Sequence, residues 1–136
     1  MNQLTLPISV YLAFLFLKCS IDAIYIQKKL VVPVHGLEWL QCASAAILAG
    51  MAYSNHFWVI VAFAFFLLPI SWIVEDFTIN AFLRQNVITQ VGGGFWDKFF
   101  IHNFPSHTPR AIWISKITLL FIASWTFYEV TKEVLR

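Results

Sequence analysis

Long apolar runs alternate with short polar breaks along this chain, and the longest run, Phe57–Phe77 (FWVIVAFAFFLLPISWIVEDF), sets the scale for the others. Its first eighteen residues carry no formal charge, and the run stops on Glu75-Asp76. A helix of that length and apolarity crosses the roughly 30 Å hydrocarbon core of a bilayer. Pro69 removes one backbone hydrogen bond inside it and predicts a kink.

Three further runs fit the same reading. Residues 4–26 form a first span, with Pro7 tolerated in its opening turn. Tyr11, Lys18, Asp22, Tyr25 and Lys29 recur at helical spacing and predict one polar stripe. Lys18 and Asp22 stand four residues apart, so they can pair; a lone charge at that depth would cost at least ~2.5–3.5 kcal/mol. The second span, 37–53, is the least apolar, and Cys42, Ala46 and Gly50 recur in it every fourth residue. Small residues at that spacing allow close backbone approach, so this helix is expected to be the central one and a packing surface. The fourth span covers 111–128, with Thr108 as a cap, Pro109 at the first position and Lys116 near the start.

Between the third and fourth spans the pattern changes. Ile79, Leu83, Val87 and Val91 make an apolar stripe beside Asp76, Asn80 and Arg84, which predicts an amphipathic helix ending at Gly92-Gly93-Gly94. Phe95–Phe104 is aromatic, too short to span, and suits the headgroup region. The prediction is therefore a single all-α domain over 1–136: an integral membrane bundle of four transmembrane helices with an amphipathic and interfacial segment over 78–109.

Composition sharpens this. Charged residues are 12% of the chain against roughly 25% in soluble domains, so lipid has to be the solvent for most of it. A net charge of +2 with no basic run gives no argument for nucleic acid. Cys19 and Cys42 both fall within spans and read as small buried residues. The N-terminus lacks a positive n-region and a cleavage site, so the first span is expected to remain. Lys28, Lys29, Arg84, Lys98 and Arg110 flank one side and Lys132 and Arg136 the other, which predicts both termini outside a bacterial inner membrane.

Two constellations could carry chemistry. At the inner end, His35, Glu38, Glu75, Asp76, His102 and His107 are candidates for acid–base work or for zinc or iron ligands, if facing helices bring them together. The plainer reading is that they mark the water boundary, since no HExxH or CxxC pattern occurs. Lys18–Asp22, with Tyr25 and an inner carboxylate, could serve an ion path or simply hold helices in register. Lys116 is placed to meet a lipid phosphate or an inner carboxylate. The leading functional expectation is a non-enzymatic membrane subunit or helper, with the bilayer and a protein partner or second copy as its partners and no cofactor. The alternatives are a small transporter or channel using Lys18, Asp22 and the inner-face carboxylates, and a membrane-embedded enzyme on a lipid or quinone-like substrate with the cytoplasmic-face His/Glu cluster.

Overall fold

A computed structural model of the chain describes residues 4–28, 35–83, 99, 101–103 and 108–134. It contains four long helices: α1 (Thr5–Gln27), α2 (His35–Tyr53), α3 (Phe57–Phe82) and α4 (Thr108–Val134). Three of them, α1, α3 and α4, are long and apolar enough to cross a membrane, and the chain reads as an integral membrane protein. The apolar part of α2 is shorter, covering Trp39–Tyr53. The amphipathic stripe expected beyond Leu83 and most of the aromatic segment lie outside the described residues.

Contacts fix the helix directions. Gly50 of α2 meets Ile60 near the start of α3, whereas Cys42 lines a common void with Ser71, further along α3. These two helices are therefore antiparallel, joined by Ser54-Asn55-His56, where the His56 amide donates to Ser54 Oγ at 3.1 Å. Lys116 meets Asp76 and Phe127 stacks on Phe66 at 5.6 Å, so α4 is also antiparallel to α3. Tyr11 reaches Ser71, and Cys19 lies within electrostatic reach of Glu75, so α1 runs with α3.

The hub is α3, not α2 as the small-residue spacing suggested. Among the described residues α3 packs against all three other helices, α2 against α1 and α3, and the α4 backbone against α3 alone. Small side chains determine how closely two helices approach, not how many neighbours a helix has. The close approach itself is present: Ala46 and Cys42 are buried, and a Cβ added at Gly50 would lie 2.9 Å from the Ile60 carbonyl oxygen. The small-residue face of α2 is thus turned into its own chain.

The core holds Tyr11 and Leu15 of α1, Cys42 and Ala46 of α2, and Phe63, Ala64 and Leu67 of α3. A ring cluster ties in α4, with Phe127 edge-on to Phe63 at 5.3 Å and Tyr53 stacked on Phe63 at 5.1 Å. Contacts of this kind are worth about 0.5–1.5 kcal/mol each beyond the area they cover. Several helix hydroxyls are satisfied locally: Ser20, Ser124 and Thr126 each donate to the carbonyl four residues earlier, and Ser115 to that of Ile112, whereas the buried Thr131 hydroxyl has no partner among the described residues.

Candidate functional site

Glu75, Asp76 and Lys116 lie toward one end of the helices, whereas Glu129 and Lys132 pair near the other. Asp76 lies nineteen residues after Phe57, about 28 Å along α3 at 1.5 Å per residue, which is close to one hydrocarbon thickness. At this level Lys116 of α4 is fully buried, and its Nζ donates to Asp76 Oδ2. The ammonium also sits 4.5 Å from the ring centroid of Trp72 and 5.4 Å from that of Trp113. A desolvated cation held over an indole face gains about 2 kcal/mol. Of the two partners foreseen for Lys116, the structure selects the carboxylate.

On α1 the anticipated pair is present: Lys18 Nζ donates to Asp22 Oδ2 at 2.7 Å, and both side chains are at least 90% buried. Tyr25, expected on the same stripe, is exposed, whereas Tyr11 is buried. The stripe therefore divides, with its first half facing α3.

Glu75 and Asp76 diverge. Successive residues on a helix point about 100° apart, so adjacent carboxylates cannot serve one compact site without distortion. Asp76 turns to α4, while Glu75 turns toward α1 and α2, lining a small void with Trp39, Cys42, Ser71 and Trp72. His102 is exposed on a short helical stretch at 101–103. The expectations for His35, Glu38 and His107 lie outside the described side chains. Among the described residues no three His, Cys, Asp or Glu side chains group as metal ligands would.

Deeper in the bundle a polar link joins three helices. Tyr11 Oη and Ser71 Oγ are 2.5 Å apart, Ser71 Oγ donates to the Leu67 carbonyl at 3.0 Å, and the Cys42 carbonyl lies 3.4 Å from Tyr11 Oη. Tyr11 Oη thus stands between the Cys42 carbonyl, to which it donates, and Ser71 Oγ. Sequence reading missed this link because a tyrosine and a serine sixty residues apart carry no spacing signal. A signal for the Lys116 cage did exist. Trp72 stands four residues before Asp76 and Trp113 three before Lys116, so each tryptophan shares a face with its charge.

No protein-family model, curated protein or solved structure matches this chain. The site therefore has to be read from its own geometry. It offers a buried ion pair within α1, a tryptophan-lined Lys116–Asp76 pair that joins α3 to α4, and a tyrosine–serine link that joins α1 to α3.

Two clefts open sideways from the helices. One of about 730 Å³ runs between α1 and α2, lined by Pro7, Val10, Phe14, Ala45, Ala49 and Tyr53 among others. The other, about 390 Å³, lies beside Pro69 between α3 and α4, with Trp39, Phe65, Trp72, Ser115 and Leu119 on its wall. The second is almost wholly apolar, whereas the first also has the tyrosines Tyr11 and Tyr53 on its wall.

Proposed function

We propose that this protein is a non-enzymatic integral membrane subunit that completes its packing against a partner chain or a second copy. In this reading all four helices cross, α2 as a short span held against α3. The polar layer then lies at the cytoplasmic face of a bacterial inner membrane, with both termini outside.

The observation that carries the reading is the incomplete enclosure of α4. Only 17% of its most apolar stretch is buried, against 33% for α3, and its backbone packs on α3 alone among the described helices. Ile114, Ile117, Phe121, Ile122 and Trp125 face outward from it. Helix association in lipid is driven by close van der Waals contact, and concave flanks accept side chains of another helix well. The matched ion pairs support the non-enzymatic part: Asp76 and Lys116 are engaged in holding α3 to α4, and Lys18 and Asp22 neutralise each other within α1. The partner surface moves accordingly from the small-residue face of α2, which α3 covers, to the outer face of α4.

Extraction into native nanodiscs followed by native mass spectrometry tests the proposal. The expected result is a fixed stoichiometry above one chain, lost in a Phe121→Ala, Trp125→Ala double variant and kept in Leu12→Ala on α1. A lone chain in those discs overturns it. The transporter reading draws its support from the buried Lys18–Asp22 pair, and would replace the subunit reading if Asp22→Asn abolished solute flux in liposomes from a protein that still folds.

A further inference from the structure

We propose that the cleft between α3 and α4 is a lipid site, which takes one acyl chain of a phospholipid whose ammonium headgroup meets Asp76. Its wall is formed by Trp39 of α2, by Phe65, Pro69 and Trp72 of α3, and by Ser115 and Leu119 of α4. The lining is apolar almost throughout, and Ser115 spends its one proton on the Ile112 carbonyl. A hollow with such walls does not hold water. It opens sideways from helices long enough to cross a bilayer, so it fills from the hydrocarbon.

Depth, size and charge narrow the occupant. Trp72 and Phe65 stand four and eleven residues before Asp76, hence about 6 Å and about 17 Å below it along α3. One leaflet contributes about 15 Å of hydrocarbon, so the cleft spans the depth of acyl chains that hang from the charged end. A helix does not fit there. A length of about 10 Å of helix, about 10 Å across, fills about 800 Å³. The cleft offers about 390 Å³. Asp76 stands one turn above Trp72 on the same face of α3, at the mouth of the cleft. Lys116 has no exposed surface, whereas 32% of the Asp76 side chain is accessible. The reachable edge of this pair is therefore a carboxylate, which accepts from an ammonium and repels a headgroup of net negative charge. Phe121 lies two residues, or about 200°, round α4 from Leu119, so a lipid here neither needs nor blocks a partner on the outer face.

Photolabelling of the full chain in phosphatidylglycerol nanodiscs tests this. Two probes carry the same diazirine-bearing acyl chain, one under an ethanolamine headgroup and one under a glycerol headgroup. Adducts are located by mass spectrometry at Phe65 and Leu119 in the cleft. Leu12 is the control for ordinary bilayer contact, because it is exposed on α1 one residue after Tyr11, at the depth of Ser71. The expected result is that the ethanolamine probe labels the cleft about tenfold more than Leu12, a preference of about 1.4 kcal/mol. The glycerol probe should label both places alike. Filling the cleft with Leu119→Trp or Ser115→Phe, whichever retains the wild-type circular dichroism, should bring Phe65 down to the Leu12 level. Equal labelling of the cleft and Leu12 by the ethanolamine probe overturns the site, and is also the result if a side chain of another protein occupies it. Equal enrichment with both probes overturns the role of Asp76, and an excess at Phe65 that persists in a folded filled variant overturns the placement.

Discussion

Lys116 and Asp76 differ in how far each is removed from solvent, and that difference predicts an asymmetric response to breaking the pair. Lys116 is fully buried, while about a third of the Asp76 side chain (32%) remains accessible. Asp76→Leu therefore leaves an ammonium with no anion in a desolvated place, a change that typically costs about 3–5 kcal/mol. Lys116→Met leaves a carboxylate that still reaches water on its open side. The loss there is mainly the charged hydrogen bond, about 1.5–3 kcal/mol. Methionine fills the lysine stem and replaces part of the contact with Trp72 and Trp113 through sulfur–aromatic packing worth about 0.3–1.5 kcal/mol. The cation–π contact is lost too, but so is the cost of keeping the ammonium out of water, and with these two offsetting each other the net loss for Lys116→Met is about 1–2 kcal/mol. The double variant buries two apolar side chains and should lie within about 1 kcal/mol of wild type. Unfolding by SDS titration in mixed micelles, followed by tryptophan fluorescence, measures all three. An Asp76→Leu protein as stable as Lys116→Met, or a double variant worse than either single one, refutes the reasoning from burial.

Two further outcomes follow from packing. Gly50→Ala should destabilise by about 1–2 kcal/mol in the same titration, because the new methyl meets the Ile60 backbone at 2.9 Å and overpacking outweighs the roughly 1 kcal/mol gain in helix propensity; an unchanged midpoint would show that α2 and α3 separate freely there. Cys19 and Cys42 are buried and not joined in a disulfide, so a membrane-permeant maleimide should label neither before SDS unfolds the protein and both afterwards. Fast labelling of either in the folded state would place that thiol on the surface.

The helices were legible because nothing competes with the signal that marks them. A run such as Phe57–Val74 can satisfy its backbone in lipid only as a helix, and its boundaries are set by the charges that end it. The Lys18–Asp22 pair was legible for a related reason, since both residues sit on one helix and spacing alone makes them neighbours. Relations between helices were harder to read. Periodicity gives a direction on each helix but not which neighbour lies there, so the Cys42–Ala46–Gly50 face was identified without its partner, Ile60 of α3. In a soluble domain an apolar circumference marks the buried helix, but in lipid the same circumference also suits an outer one. For that reason the central place of α3 could not be read from its mean hydropathy of 2.5. The Glu75-Asp76 doublet misled in another way: adjacency in sequence suggested a shared site, whereas helical rotation sends the two carboxylates to different neighbours.

The inward-turned hydroxyls of α4 bear on how strongly that segment partitions into hydrocarbon. Ser115, Ser124 and Thr126 each donate to a carbonyl of their own helix, so their protons never need to leave a water partner behind once the coil forms. A residue-by-residue scale counts each at its free transfer cost and arrives at a hydropathy of 1.4 for this segment. Most of that cost has already been met by the backbone. The helix should accordingly enter acyl chains more readily than its letters suggest, and replacing these three with alanine should change its insertion far less than the same scale forecasts.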